Sequence, residues 1–125
     1  MTVQKTSADL YQDYTARMQQ IADVRNSVSI LGWDQETYLP EKGAEFRGRQ
    51  ITTLSTLSHD LSTAPALGDL LQELKSRQDL DNIQRRNVEL SAEDFEKQRK
   101  YPGSFVAELS TATNAAYHAW IKSRK

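Results

Sequence analysis

Apolar residues recur every three or four positions in the first third of the chain. This spacing places them on one side of an α-helix and predicts an amphipathic first helix over residues 8–31. Gly32 leaves its end open: the helix stops there in a left-handed cap, or it continues to about Glu36 at the propensity cost of a glycine. The apolar positions are Leu10, Tyr14, Met18, Ile21, Val24, Val28 and Leu31.

Pro40 predicts the start of a second helix, because the first helical turn does not need a proline N–H. The apolar period then continues to about Ser62 and leaves some inward positions open between two neighbours. Those positions are Phe46 or Arg47, Gln50 or Ile51, and Leu57 or Ser58, with Leu54 and Leu61 in either case.

Two further helices are predicted before residue 100. The third begins at Pro65 in "TAPALGDLLQELKSR", and Asp79 or Asp81 caps a fourth that runs through "NIQRRNVELSAEDFEKQRK". The inward residues are expected to be Leu67, Leu70, Leu71 and Leu74 in the third helix, and Ile83, Asn87, Leu90 and either Asp94 or Phe95 in the fourth.

"YPG" at residues 101–103 interrupts the pattern, because the residue before a proline is pushed out of the helical region. A fifth helix follows. Its apolar stripe is expected to lie in the core or in an interface rather than in a ligand pocket. The stripe consists of Phe105, Leu109, Ala112, Ala116 and Trp120.

No alternating apolar run is long enough for a strand. The pattern therefore predicts an all-α fold of about five helices in an antiparallel bundle-like array with no sheet. The length of 125 residues suits a single domain over residues 1–125. Helices one, two and five are expected to pack together.

Composition narrows the class of function. Sixteen Lys and Arg against seventeen Asp and Glu are interspersed and give a net charge of −1, so nothing selects nucleic acid as a partner. No run approaches the roughly 18 apolar residues of a membrane span, and the start lacks the apolar core of a signal peptide. We expect a cytoplasmic protein. The absence of cysteine agrees with a reducing compartment. It also excludes metal sites with thiolate ligands and active sites with a cysteine nucleophile.

Candidate chemistry is sparse. His59 and His118 are the only histidines, and they fall on different predicted helices, whereas a helical zinc site needs two ligands on one face. Each is expected at a surface or boundary rather than as a ligand. No serine sits in a strand-turn-helix elbow, and no glycine-rich loop follows a strand. The pair Arg85 and Arg86 is expected to be a solvated face.

The polar run "WDQET" at residues 33–37 is the exception in this plain helical sequence. On a helix, Asp34 and Glu36 point about 200° apart and cannot face each other as acid and base, whereas in an extended loop they could share a face. We expect Trp33 to anchor the end of the first helix in the core. The polar residues from Asp34 to Thr37 would then satisfy the amides of the turn before Pro40.

The run "SILGWDQETYLP", followed by "AEFRGRQITTLSTLSHDL", resembles the N-terminal region of the carboxypeptidase Taq family of metallocarboxypeptidases. The resemblance continues through "STAPALGDLLQEL" and "KQRKYPGSFVAELSTATNAAYHAWIKSRK", and so covers the chain from about Val28 onward. It implies a much longer, almost entirely helical, cytoplasmic and usually dimeric enzyme that removes C-terminal residues from peptides. In that family zinc or cobalt is held by an HEXXH helix and a downstream glutamate.

HEXXH is absent from residues 1–125. The resemblance therefore assigns no catalytic residue, metal ligand or cofactor to this chain, and implies zinc or cobalt for the longer protein only. It implies a catalytic C-terminal region as the missing partner, and a structural role in the wall or lid of the substrate groove, with substrate contact as the weaker option. The residues carried over are Trp33, Asp34, Gln35, Glu36, Thr37, Arg47 and Gln50.

Three hypotheses follow. The first is a non-catalytic N-terminal fragment of a metallocarboxypeptidase, whose uncovered apolar surface would make it a homo-oligomer. The second is a self-standing helical interaction module without enzymatic activity. The third is a small enzyme that uses Asp34 and Glu36, and it is the weakest because two carboxylates without histidine bind a transition metal poorly.

Overall fold

A computed structural model describes residues 3–125. No strand occurs in this part of the chain, which confirms the all-α class there, while the antiparallel bundle-like array remains a prediction. The helices are α1 (Ser7–Thr37), a short 3-10 helix (Glu41–Gly43), α2 (Ala44–Ser62), α3 (Pro65–Ser76), α4 (Asn82–Gln98) and α5 (Gly103–Ser123).

Helix α1 continues through Gly32, which settles the alternative left open at its end. The backbone of Gly32 is not in the left-handed region, and an added Cβ there would meet nothing within 4 Å. The helix ends at Thr37, where the N–H groups of Tyr38 and Leu39 both donate to the carbonyl oxygen of Asp34, at 2.9 and 3.0 Å. The whole "WDQET" run is therefore helical.

The chain forms two compact units. Unit one contains the described residues up to Ile21 together with Leu61–Lys100, and unit two contains Ala22–Asp60 and Tyr101–Lys125. All the buried apolar side chains of the described chain belong to unit one. They are Leu10, Tyr14, Ile21, Leu67, Leu71, Leu74, Leu80 and Val88.

Polar contacts hold the helices of unit one in register around this core. The Tyr14 hydroxyl lies within hydrogen-bonding distance of the Ser91 hydroxyl and donates to the carbonyl oxygen of Asn87 at 3.2 Å. Asp81 rather than Asp79 caps α4: it accepts from the Gln84 N–H at 2.8 Å, and the Gln84 side chain accepts in return from the Asp81 N–H. This reciprocal pair is a capping box.

The inward stripe expected for α4 is wrong at Ile83, Asn87 and Leu90, whereas Phe95, one of the two alternatives at its last position, is confirmed. Ile83 is 74% exposed and Leu90 is 43% exposed, whereas Val88 is buried and Phe95 is partly buried against the core. The reason lies in α3, where Gly68 lets the ring of Phe95 approach so closely that an added Cβ would lie 2.7 Å from it. This approach turns Val88 and Phe95 inward and leaves Ile83 and Leu90 outside.

For the stripe expected on α5, the core alternative is wrong, because the stripe points outward in unit two, while the interface alternative remains a prediction. Phe105 is 42%, Leu109 54% and Trp120 51% exposed. The less exposed side of α5 is mixed: it carries the half-buried Val106, Ala107 and Tyr117. It also makes two polar contacts to α2: Thr52 donates to Ser110 at 3.0 Å, and the Asn114 amide donates to the carbonyl oxygen of Gly48 at 3.4 Å. The periodicity of apolar residues does not reveal these two polar contacts, which help to hold this side of α5 against α2.

At two of the three open positions of α2, the polar candidate is the more buried residue. Arg47 and Ser58 are half-buried, whereas Phe46 and Leu57 are 56% and 44% exposed. Gln50 and Ile51 are both half-buried. Unit two therefore turns several large apolar side chains outward from α2 as well as from α5.

Candidate site at the end of helix α1

Arg47 is the centre of the candidate site. Its Nη1 donates to Asp34 Oδ2 at 2.7 Å and to the carbonyl oxygen of Leu31 at 3.3 Å, while its Nε donates to Gln50 Oε1 at 2.9 Å. The Arg47 side chain is 16% exposed, and that of Asp34 is 34% exposed. We call Leu31, Asp34, Arg47 and Gln50 the Arg47 junction.

The spacing of the sequence produces this junction. Leu31 and Asp34 are three residues apart on α1, and Arg47 and Gln50 are three apart on α2, so each pair lies on one helical face. The guanidinium also lies in the last turns of α1, where a positive charge is favourable beside the outward-pointing carbonyls. The pairing of Asp34, Arg47 and Gln50 was not deduced from the sequence, although their helical spacing carried the signal.

Asp34 and Glu36 are not brought together. Both lie on helical backbone two residues apart, Asp34 is engaged by Arg47, and Glu36 is exposed. Two positions two apart on a helix point to different sides of its axis. The arrangement lacks the extended loop that a facing acid and base would need.

Trp33 does not anchor α1 in the core, which corrects that expectation. It is 58% exposed and meets Tyr38 edge-on, with ring centroids 5.6 Å apart. Because the Asp34 side chain points toward Arg47, the neighbouring Trp33 projects from another side of the helix. The Thr37 hydroxyl donates to the Trp33 carbonyl oxygen at 2.8 Å, so Thr37 serves α1 itself rather than the turn before Pro40.

Two half-buried side chains of unit two hold a buried polar atom that has no hydrogen-bond partner among the described residues. They are Gln35, through Oε1, and His118, through Nε2. An unsatisfied buried polar atom costs about 1–3 kcal/mol. Gln35 is thus the one member of the "WDQET" run with a buried side-chain oxygen that accepts no hydrogen bond from the described residues.

His59 is buried, which corrects its expected partly exposed position. It is 8% exposed, and its Nε2 lies 2.7 Å from the carbonyl oxygen of Tyr101. The cause is the "YPG" break, which brings Tyr101 next to the last turns of α2. This contact joins the two segments of unit two.

Zinc needs three or four nitrogen, sulfur or oxygen donors around one point. In residues 3–125 no three His, Cys, Asp or Glu side chains form a group that could hold a metal ion. The residues present therefore do not fit the metal of a metallopeptidase, and no catalytic step is assigned to one here. Nor does any described helix have the length and apolar character to cross a membrane.

Comparison with known proteins places the chain among the metallopeptidases. The model of the family described as carboxypeptidase Taq (M32) metallopeptidase matches residues 13–125. The chain belongs to this family.

Several relatives extend far beyond the matched region. The chain is 29% identical to thermostable carboxypeptidase 1 of Pyrococcus furiosus over 109 residues, which is 87% of this chain and 22% of the relative. It is 29% identical to thermostable carboxypeptidase 1 of Thermus thermophilus over 117 residues, which is 91% of this chain and 23% of that protein. The crystal structure of M32 carboxypeptidase from Deinococcus radiodurans R1 matches with a TM-score of 0.78 and 39% identity, over 92% of this chain and 23% of that one.

Proposed function

We propose that this chain is the non-catalytic N-terminal helical region of a zinc- or cobalt-dependent metallocarboxypeptidase that removes C-terminal residues from peptides. The observation that carries the proposal is the family match over residues 13–125, in a chain that spans only 22–23% of the relatives' length. The absence of a metal-binding group among the described residues is compatible with chemistry that lies elsewhere in the longer protein.

Within that enzyme, the Arg47 junction would support the wall of the substrate groove. Arg47 ties the last turns of α1 to α2, and this fixes where the rest of the "WDQET" run projects. Trp33, Glu36 and Thr37 are exposed beside it, which would suit a weaker, direct contact with the peptide. Residues 1–125 would act as one domain of a cytoplasmic protein, with the helices in an antiparallel bundle-like array.

The test compares this chain with a full-length M32 carboxypeptidase, such as that of Deinococcus radiodurans R1. Both are assayed on blocked dipeptides and on a longer peptide with added zinc or cobalt, and bound metal is measured by mass spectrometry. We expect turnover and stoichiometric metal in the full-length enzyme and neither in this chain. C-terminal trimming by this chain, with stoichiometric metal, would overturn the proposal.

Self-association of the isolated chain is part of this proposal, because a region shaped to pack against more protein shows apolar surface on its own. The exposed side chains Phe105, Leu109 and Trp120 are such surface. We expect a homodimer or larger oligomer by light scattering at high concentration. A monomer at every concentration would count against it.

The alternative is a self-standing helical interaction module without enzymatic activity, and the same exposed side chains favour it. The two proposals differ in one genetic observation. A reading frame that continues past Lys125 into an HEXXH-bearing region fits the peptidase, whereas a natural stop codon after Lys125 fits the module.

A further inference from the structure

Helix α5 has few charged side chains and yet no buried residue, a combination that is rare in a helix on the surface of a complete protein. From Gly103 to Ile121 its only formally charged side chain is Glu108, whereas α4 carries seven charged side chains over a shorter length. Yet no residue of α5 is buried. A helix this poor in charge is normally covered by other parts of a protein.

The exposed residues form a continuous surface, which we call the outer stripe: Phe105, Leu109, Ala112, Ala116 and Trp120. At 1.5 Å per residue it is about 22 Å long. Large side chains occupy its ends and alanines its middle, a shape that lets another helix approach to the usual interaxial distance of about 8–10 Å. At the C-terminal end the Arg124 guanidinium lies 4.8 Å from the centroid of the Trp120 ring and marks a charged rim.

We propose that the outer stripe of α5 is the surface on which the following part of a carboxypeptidase Taq polypeptide packs. This inference rests on the proposed function. The relatives carry the greater part of their length outside the matched region, so that a large body of protein is available to cover the stripe. An almost uncharged surface is typical of contacts that are permanent, since surfaces that meet water between encounters keep a polar character.

The opposite side of α5 supports this orientation. It is held within unit two by the Ser110 and Asn114 contacts to α2. The helix is therefore already fixed on one side by polar bonds, and its apolar side faces away from them. If more protein packed on the outer stripe, both sides of α5 would be covered, and the helix would keep its present orientation against α2.

The test is a chimeric enzyme in which this chain replaces the matching region of the Deinococcus radiodurans R1 M32 carboxypeptidase, with which it is 39% identical. The stripe variants are Ala116→Arg and Leu109→Gln. The matched control is Ile83→Arg on α4, a single exposed apolar residue outside the stripe, at 74% exposure. Peptidase activity and unfolding temperature are measured for each chimera. Helical circular dichroism is measured for each variant of the isolated chain.

The unmodified chimera is expected to fold and to trim peptides. Each stripe variant is expected to lose about tenfold or more of that activity and to unfold at a lower temperature, because a buried contact is replaced by an uncompensated polar group. Ile83→Arg should leave both unchanged. In the isolated chain, all three variants should retain their helical signal, since all three sites are exposed there.

The outcomes distinguish a failure of the outer-stripe inference from a failure of the proposed function. An active chimera in which the stripe variants behave like Ile83→Arg overturns this inference and leaves the proposed function standing. A chimera that fails to fold or to trim peptides overturns the proposed function and this inference with it. If Ala116→Arg turns an isolated dimer into a monomer but the chimera tolerates it, the stripe belongs to a second copy of the chain, which also overturns the inference.

Discussion

The two units of this chain are built from similar helices but are stabilised differently. Unit one buries a continuous set of apolar side chains, whereas His59 is the only buried side chain of unit two in the described chain. Unit two instead exposes nine large apolar residues, against three in the described part of unit one. Those of unit two are Ile30, Trp33, Tyr38, Phe46, Leu57, Tyr101, Phe105, Leu109 and Trp120.

The two units therefore owe their stability to different interactions. Burial of apolar area stabilises unit one by roughly 25 cal/mol for each Å² removed from water. Unit two relies more on individual polar contacts, namely the Arg47 junction, the His59 bond to Tyr101 and the Thr52 bond to Ser110. Such contacts add only about 0.5–1.5 kcal/mol each. Unit two should therefore be the less stable of the two on its own.

Leu74→Ala should have the largest effect, because it removes a side chain with no exposure from the centre of unit one. The free energy of unfolding should fall by about 2–5 kcal/mol, the range for a leucine truncated in a packed core. Urea unfolding followed by circular dichroism measures it. Leu57→Ala in unit two, at 44% exposure and outside the stripe of α5, is the control and should change stability by well under half as much. Equal losses would remove the distinction between the units.

A pair of glycine substitutions tests how tightly each unit is packed around its helices. Gly68→Ala in unit one should destabilise by about 1–3 kcal/mol, because the new Cβ would lie 2.7 Å from the Phe95 ring. Gly32→Ala in unit two adds the same methyl group to a helix with nothing within 4 Å, and should stabilise by about 0.5–1 kcal/mol. Thermal unfolding measures the stability of both variants, and two shifts of the same sign would contradict the close packing at Gly68 and the open space at Gly32.

These glycines also show how far the sequence could predict the fold. The 3.6-residue period identified the inward residues of α1 correctly at Leu10, Tyr14 and Ile21, because that stripe is apolar and meets a core. In α4 it selected only Phe95 correctly, as one of two alternatives, and in α5 the stripe that it selected does not lie in the core. The rotation of those helices depends on a close approach to Gly68 and on polar contacts of Ser110 and Asn114, which involve residues distant in sequence.

The sequence predicts which residues belong to the candidate site, but it does not predict which of them contact one another. Residues 33–37, Arg47 and Gln50 were selected from the sequence through a family resemblance, and the structure joins Asp34, Arg47 and Gln50 through direct hydrogen bonds. The exposure of Trp33 was not predictable, because it depends on which side of α1 faces α2. A tryptophan beside an apolar stripe favours the core unless a polar neighbour such as Asp34 fixes the rotation.

Arg47→Met should weaken unit two selectively. It keeps most of the side-chain volume but removes the ion pair with Asp34 and the bonds to Leu31 and Gln50. We expect a loss of about 1–2 kcal/mol in the free energy of unfolding, since the pair is only half-buried. Hydrogen exchange should increase in the last turns of α1 and not in α3. The double variant with Asp34→Asn should lose less than the sum of the two single variants, because both remove the same contact.

The smallest expected effect is a pH dependence confined to unit one. The Ser7 hydroxyl donates to Asp79 Oδ1 at 2.6 Å, and this bond, with a further one from the Asp79 backbone, lowers the pKa of the Asp79 carboxyl below its usual value. A carboxyl whose pKa is lower in the folded than in the unfolded state stabilises the fold above its ordinary pKa of about 3.9, and this contribution is lost as the pH falls through the folded pKa. Ser7→Ala should therefore cost more stability at about pH 6 than at about pH 2.5.

Ser76→Ala is the matched control for this pH dependence. The Ser76 hydroxyl donates to the carbonyl oxygen of Glu73, a group that does not titrate, at 2.6 Å. Its loss should cost the same at both pH values, as measured by urea midpoints. If Ser7→Ala showed the same flat profile, the hydroxyl would not be what lowers the pKa of Asp79. The polar contact at the start of α1 would then stabilise unit one through geometry alone, in the manner of the contacts that hold unit two.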